Sequence, residues 1–516
     1  MKFLKLSLAA SVALGAFSTA SFAQPLEDAI KGIEVSGYLR YRYNDDRYDN
    51  QGFLPNNRVF GTAGSDEGVY VPGQQMNTAG VPMVDANGNP VRAPGKNCGN
   101  ATHRWKAVAD FKAPVADNVA FNFGILYNNE SNNVNHGNTY PGQGSGLGSG
   151  KDGSFGVSTF NAVITPDSTA TTVIIGKQRL ATPVTNAGDD DRGTGILALN
   201  SDLEGFTFAA GAFDSWSIDD VHKGYDLGDN SGTSVTKPLY ALAGIYGVDT
   251  AYGHFGAQLW GFYIQDAVDA LGFGELSWNN ATFDVALQYA IASLNNDSDS
   301  VLGALHGFPA PGSAIKSDIA EANDLFVLNL GANFAQEYNV PLDVKLGWVT
   351  NFQDGTAVTL NDDGTAFKYA GAIWWQNAAT GISTSALLPT GVHGFGTEQE
   401  ISVFYGAIGY SMVDNRLRIG LDYVFGSNDI DYKRQGVINP SIDFQEITPR
   451  ISWKHNKNLT ISGYYAYLMT DKPDYLRAAF DPTGGLNQPQ QTDIRNSGAH
   501  DDETRQRVRV EVKYSF

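Results

Sequence analysis

The sequence predicts an all-β chain that folds as a transmembrane antiparallel β-barrel of about 18 strands, with short periplasmic turns and long external loops. Three observations carry this prediction. Apolar and polar residues alternate in many short segments, the connections between those segments alternate between short and long, and the last such segment ends in Phe516 at the C-terminus. Each observation has a physical reason.

The C-terminal segment shows the alternation most clearly. One set of alternate positions is apolar and the other is charged or polar: Val508, Val510, Val512, Tyr514 and Phe516 against Arg505, Arg507, Arg509, Glu511 and Lys513. Side chains on a strand point to opposite faces in turn, so this strand needs an apolar medium on one side and water on the other. A terminal aromatic residue on such a strand, behind a secretion signal, is typical of outer-membrane barrels.

The N-terminus has the pattern of a secretory signal peptide. Lys2 and Lys5 precede an apolar stretch over 6–17, and Ser21-Phe22-Ala23 forms a small-x-small cleavage site. The expected organisation is therefore a signal peptide at 1–23 and an outer-membrane barrel domain at 24–516, located in the outer membrane of a Gram-negative cell.

The alternation predicts strands along the whole mature chain. Their ranges are 33–43, 103–113, 118–128, 154–164, 170–178, 193–200, 204–214, 238–248, 252–264, 269–278, 281–292, 323–335, 340–352, 398–411, 415–427, 444–455, 458–470 and 503–516.

The connections strengthen the barrel prediction. Short ones lie at 114–117, 279–280, 413–415 and 456–457, and long ones at 44–102, 129–153, 294–322, 353–397 and 471–502. Bacterial barrels have short periplasmic turns, long external loops and an even strand number, so both termini lie in the periplasm. A soluble sandwich or propeller has no reason to show this parity.

Composition excludes several other classes of protein. The net charge of −20 argues against nucleic acid as a partner, and a single cysteine, Cys98, cannot form an intramolecular disulfide framework. No mature segment offers about 20 uninterrupted apolar residues for a helical membrane span. We find no His-Glu-x-x-His pair, and in Gly148-Ser-Gly-Lys151 the following Asp152 replaces the Ser or Thr that a phosphate loop needs. We therefore expect no enzyme.

Two segments carry a resemblance to a known family. The block from Pro25 to Tyr43, PLEDAIKGIEVSGYLRYRY, resembles the mature N-terminus of the Campylobacter-type (epsilonproteobacterial) major outer membrane porins. The segments 176–180 and 191–195 are similar to the same family. The resemblance implies an 18-stranded, homotrimeric, cation-favouring general diffusion porin, with calcium binding near its constriction.

A wide barrel needs a constriction if it is to sieve solutes, and the connection 180–192 is the best candidate. It follows the fifth strand and begins directly after Arg179. It contains Asp189, Asp190, Asp191 and Arg192, with a glycine on each side of this run. Acids held in a low-dielectric pore would concentrate cations. The same three aspartates are the candidate ligands for calcium, since hard cations take clustered carboxylates. An ordinary solvated loop without a metal is the alternative, and no cofactor is required.

The inward face of the closing seam is basic. A closed barrel pairs its last strand with its first and its first with its second, which brings together Arg507 and Arg509, Arg40 and Arg42, and Arg104 and Lys106. We expect this wall to line the pore and to face the acidic loop across the channel. Alternatively, it only neutralises luminal acids such as Glu34 and Glu511.

The sequence thus favours a water-filled, cation-favouring channel for passive diffusion of ions and small hydrophilic solutes. Its expected partners are outer-membrane lipid, lipopolysaccharide and two further copies of the chain. The alternatives are a substrate-specific channel of the same fold, which predicts saturable transport, and a surface adhesin that uses the long external loops.

Overall fold

The computed structural model describes residues 32–48, 99–128, 154–187, 191–217, 237–295, 320–360, 366–375, 398–431, 441–471 and 503–516. Eighteen strands form one antiparallel sheet in which every strand pairs with its neighbours in sequence. The first strand pairs with the last, so the sheet closes into a barrel. The predicted fold class is confirmed. The signal peptide lies outside the described residues and stays a prediction.

The strand bounds agree with the predicted ranges to within a few residues at most ends. The strands are β1 Glu34–Tyr48, β2 Gly99–Ala116, β3 Val119–Asn128, β4 Ser154–Ile164, β5 Thr171–Arg179, β6 Arg192–Asn200, β7 Phe206–Ser217, β8 Leu239–Thr250, β9 Gly253–Ile264, β10 Val268–Asn279, β11 Phe283–Leu294, β12 Ala322–Asn333, β13 Leu342–Thr350, β14 Glu398–Met412, β15 Leu417–Asp431, β16 Ser441–Lys454, β17 Leu459–Thr470 and β18 Glu503–Ser515.

One short helix, α1 at Ala335–Tyr338, lies in the connection between β12 and β13. Within the described ranges, no helix combines the length and the apolar character that a membrane-spanning helix needs. Two of the short connections hold an asparagine in left-handed backbone. Asn118 has φ 60° before β3, and Asn415 has φ 61° before β15. Asparagine accepts this conformation at low cost, so the turn positions follow from the sequence.

The seam joins the two ends of the chain. β1 and β18 are antiparallel, with Arg42 opposite Glu511 and Leu39 opposite Tyr514. The backbone of Gly37 exchanges two hydrogen bonds of 3.0 Å with the backbone of Phe516. The terminal residue therefore extends the pairing of β18 at the end of the barrel that carries the short turns.

The outer surface of the barrel is apolar. Outward positions such as Leu242, Leu346 and Ile408 are among many large apolar side chains that are exposed. In a soluble protein such a surface would be an aggregation site, whereas hydrocarbon is its natural neighbour. Exposed apolar positions alternate with interior positions along the strands. On β14, for example, Ile408 faces outward and the preceding Ala407 faces inward.

The two faces predict opposite responses to a new charge. Leu421→Arg on the outer face of β15 should destabilise the folded barrel by about 2–4 kcal/mol, because the guanidinium then lies in hydrocarbon. The matched control is Ser462→Arg, whose side chain points inward beside Glu511 in the register of β17 and β18. Urea titration of both variants in lipid vesicles, read by heat-modifiable gel mobility, measures the difference. Equal midpoints would contradict the assignment of the two faces.

Candidate permeation pathway

Basic side chains line the inner faces of three adjacent strands at the seam, and seven of them lie close together in register. We call this group the basic wall, and its members are Arg505, Arg507 and Arg509 on β18, Arg40 and Arg42 on β1, and Arg104 and Lys106 on β2. Arg40 lies opposite Lys106, and Arg42 lies opposite Arg104. Lys106, Arg104 and Arg507 are each 1% exposed. The structure therefore places side by side the six basic residues that the sequence assigned to this wall, and adds Arg505.

Specific contacts hold two members of the basic wall. The Arg42 guanidinium forms a 3.0 Å ion pair with Glu511. The Arg509 Nε donates to Asn44 Oδ1 at 2.8 Å, and its guanidinium lies 5.5 Å from the centre of the Tyr464 ring. A buried charge is costly unless other groups compensate it, so these contacts fix where the cations stand along the wall.

The other two basic residues named from the sequence flank the connection between β5 and β6. Arg179 forms a 3.0 Å ion pair with Asp110 of β2. Arg192 is buried at the start of β6 and lies opposite Arg179 in the register of the two strands. Arg179 thus reaches across the inner face toward the strand that carries Arg104 and Lys106.

We call the connection 180–191 the third loop. Its described residues, 180–187 and 191, lie inside the barrel and bond to one another. The Leu180 backbone N–H donates to the Asp191 carbonyl at 2.8 Å, and the Asn186 backbone N–H donates to the Asp191 carboxylate at 2.7 Å. The side chains of Leu180 and Val184 are buried in the apolar core inside the barrel. The loop that was expected to form the constriction therefore lies inside the barrel at its described residues.

The structure places Asp191 away from water. Its exposure is 0%, and one carboxylate oxygen is used to close the third loop. Asp189 and Asp190 lie outside the described residues, so the expected acidic face of the loop and the calcium ligands remain predictions. Within the described part of the chain, no three His, Cys, Asp or Glu side chains are grouped to hold a metal ion.

The burial of Asp191 gives a prediction that separates loop closure from selectivity. Asp191→Ala should destabilise the closed third loop by about 1–3 kcal/mol, because a buried N–H loses its acceptor. We expect more open-channel noise in planar bilayers and an unchanged reversal potential in a salt gradient. Asp191→Asn, which keeps an acceptor oxygen, is the control. A large shift of the reversal potential in the alanine variant would show that the carboxylate faces the pore.

A second connection also lies inside the barrel. We call residues 351–360 and 366–375, which follow β13, the inner loop. The Lys368 backbone N–H donates to Gln288 Oε1 at 3.0 Å, and Tyr405 donates to the Lys368 carbonyl at 3.2 Å. Gln288 and Tyr405 are inward residues of β11 and β14, so the inner loop is bonded to the wall of the lumen.

An apolar core forms where the inner loop meets the barrel wall. Trp374 and Trp375 are fully buried, with Trp374 stacked on Phe444 of β16 and Phe367 edge-on to Phe273 of β10. The Leu360 N–H donates to the Val184 carbonyl at 2.9 Å, which joins the inner loop to the third loop. The two loops therefore act as one packed body within the barrel.

The inside of the barrel is asymmetric. The contiguous apolar core is formed by residues of β7 to β17 and of the two loops, whereas the basic wall occupies β18, β1 and β2. A polar solute cannot cross a packed apolar core without losing its hydration. At the described residues, the sector that the apolar core fills is therefore closed to a polar solute.

Our sequence reasoning missed the inner loop, which it treated only as part of a long external connection at 353–397. A signal was present. The inward positions of β12 and β14 are apolar, at Leu325, Val327, Ile401 and Val403. Strands that are apolar on both faces are buried on both faces, and a water-filled lumen gives no such burial. Those residues predict that a segment of the chain fills that sector.

A closed antiparallel barrel with an apolar outside and a charged strip inside defines a class of protein, the outer-membrane channels. A sequence model of the Campylobacter major outer membrane protein family matches residues 1–64 and 83–481. The chain belongs to this family, and it lies in the outer membrane as a multi-stranded barrel. The resemblance seen in the sequence is confirmed. No curated protein matches the sequence.

Solved structures with the same fold are distant in sequence. OpdL of Pseudomonas aeruginosa is 12% identical with a TM-score of 0.54, over 94% of this chain and 99% of that one. A BenF-like porin from Pseudomonas fluorescens Pf-5 is 12% identical with a TM-score of 0.53, over 94% and 99%. OccAB3 of Acinetobacter baumannii is 11% identical with a TM-score of 0.52, over 94% and 100%. These likenesses support the fold of an outer-membrane channel.

Proposed function

We propose that this outer-membrane channel is passive, and that it carries ions and small hydrophilic solutes down their gradients through water. The observation that supports this most is the charged strip on the inner faces of β18, β1 and β2, which lies apart from the packed apolar core. Neighbouring cations inside a barrel repel one another, so water and mobile counter-ions beside them stabilise the strip and favour a hydrated path. The proposal needs no catalytic group, and it treats the protein as a channel and not an enzyme.

Single-channel recording of the purified, folded protein in planar bilayers tests this proposal. We expect discrete open levels whose conductance rises in proportion to the salt concentration, as for free diffusion through water. Folded protein that never opens a channel would overturn the proposal.

We further propose that the channel favours cations. The support is the net charge of −20 and the acids of the third loop, Asp189 and Asp190. The basic wall then produces a transverse field that orients polar solutes while the channel as a whole attracts cations. Reversal potentials in a salt gradient give the sign directly. A potential of the anion-selective sign would overturn the cation preference and leave the channel function standing.

Calcium near the third loop is a linked proposal. It rests on Asp189 and Asp190 and on the family resemblance, because the Asp191 carboxylate is engaged in closing the loop. Recording before and after addition of a chelator tests it, with an expected change of conductance or selectivity. Identical conductance and selectivity before and after addition of the chelator would contradict the calcium proposal.

A substrate-specific channel is the second candidate. The observation in its favour is that the third loop and the inner loop fill one side of the lumen, while the basic wall lines another side. It predicts that one class of solute saturates the channel and blocks ion current.

We also propose a homotrimer in contact with lipid and lipopolysaccharide, which mild cross-linking in native membranes tests. Adhesion through the external loops concerns residues outside the described ranges and stays a prediction.

A further inference from the structure

The inner loop presents four consecutive backbone N–H groups to two carboxylates of the barrel wall. Glu446 of β16 accepts from Ala372 at 2.5 Å, from Ile373 at 3.0 Å and from Trp374 at 2.8 Å. Asp422 of β15 accepts from the N–H of Gly371 at 3.0 Å. Consecutive N–H groups that converge in this way form an anion-binding concavity, which the protein's own carboxylates occupy here.

The carboxylates are themselves held in place. Thr448 donates to the same Glu446 oxygen that binds Ala372, at 2.7 Å. Arg450 donates from Nε to Asp422 at 2.6 Å and from Nη2 to the Gly371 carbonyl at 2.6 Å. Glu446 and Thr448 are 0% exposed. We call Asp422, Glu446 and Arg450 the docking triad. It bonds both the N–H and the C=O of Gly371.

Gly371 is required by this geometry. Its φ is +89°, a backbone conformation that residues with a Cβ rarely adopt. A Cβ at this position would lie 2.7 Å from the Trp374 ring and 3.0 Å from a Glu446 oxygen. A side chain here would therefore disturb both the backbone conformation and the contact with Glu446.

The docking triad connects directly to the permeation side of the lumen. The Arg450 guanidinium lies 5.1 Å from the centre of the Tyr464 ring, and the guanidinium of Arg509, a member of the basic wall, lies 5.5 Å from the same ring. Arg450, which bonds the docked inner loop at Gly371, is thus separated from the basic wall by one aromatic ring. The position of the inner loop fixes one border of the path that runs beside that wall.

We infer that Asp422, Glu446 and Arg450 are positioning residues that set the size of the pore by holding the inner loop inside the barrel. The inference rests on the proposed channel function. Without the triad, four N–H groups and a carbonyl lose charged partners inside the barrel, and this weakens the attachment of the inner loop to the barrel wall. The lumen then widens toward the sector that the loop had filled.

The test uses the full-length protein reconstituted in planar bilayers and in liposomes. Glu446→Gln removes the charge with little change of shape, and Gly371→Ala leaves the triad intact but disturbs the docked backbone. Asp343→Asn is the matched control, because Asp343 is a luminal carboxylate of β13 whose described ion pair is with Arg418 at 2.6 Å. Heat-modifiable gel mobility establishes that each variant is a folded barrel.

Both docking variants should conduct roughly twice as much current as the unaltered protein and admit larger neutral sugars in liposome swelling, because the open cross-section grows. Asp343→Asn should keep the original conductance and sugar limit. The inference is overturned if both folded docking variants behave like the unaltered protein, or if the control changes as much as they do. If the unaltered protein opens no channel, the proposed function fails instead.

Discussion

Replacement of Arg40 and Arg42 by glutamate is expected to shift the permeability ratio several-fold toward cations. Both side chains lie on β1 at the centre of the basic wall, next to Lys106 and Arg104 in register. Inside a narrow lumen with low-dielectric walls, charges act at a range comparable to the screening length of about 10 Å in 0.1 M salt. The reversal potential in a salt gradient measures the shift.

Two further variants make this result interpretable. Arg42→Glu places a second carboxylate opposite Glu511, so the milder Arg40→Gln with Arg42→Gln should shift the ratio in the same direction with less strain on the seam. Lys457→Glu, in an exposed turn between β16 and β17, is the control for net charge alone. If the reversal potential is unchanged in both double variants, with glutamate and with glutamine at positions 40 and 42, the basic wall only neutralises luminal acids and does not line the path.

Truncation of Trp374 is expected to release the inner loop. The side chain is fully buried, its Nε1 donates to the Ala370 carbonyl at 2.6 Å, and its ring contacts Trp375 and Phe444. Removal of a buried tryptophan typically costs about 3–5 kcal/mol, because it removes apolar contacts and leaves a cavity. Most of that cost falls on the docked loop, since the barrel strands keep their own pairing.

Hydrogen exchange measures this release residue by residue. The N–H groups of 371–374 are protected by Asp422 and Glu446, and a loss of about 3 kcal/mol corresponds to roughly 100-fold faster exchange. We expect that acceleration in Trp374→Ala, a much smaller one in Trp374→Phe, and none in peptides from β15. Equal exchange at 371–374 in all three proteins would show that the ring does not hold the loop.

The barrel was predictable because its signal is local. The alternation on β18 and the short turn around Asn415 need only a few neighbouring residues, and pairing of each strand with the next then orders the whole sheet. The register of Arg40 with Lys106 follows from the same pairing once the turns are fixed. This is why adjacent basic strands could be named from the sequence alone.

The interior could not be predicted in the same way. The hydrogen bonds from the Ala372 N–H to Glu446 and from the Lys368 N–H to Gln288 join residues that are far apart in the chain, and backbone N–H groups leave no pattern in a sequence. Asp191 shows the reverse problem. Because Asp191 belongs to a run of aspartates, the sequence predicted that its carboxylate faces water and attracts cations. In the structure the carboxylate accepts from the Asn186 backbone N–H, a local contact that composition does not reveal.

In the proposed mechanism, solutes pass by free diffusion through water beside the basic wall. The dependence of single-channel conductance on concentration tests it most directly, with salts and with small organic anions and cations as the permeant solutes. We expect conductance to rise in proportion to concentration for every solute small enough to enter. Saturation at low concentration for one solute class, with block of the ion current, would contradict passive diffusion and establish a substrate-specific channel.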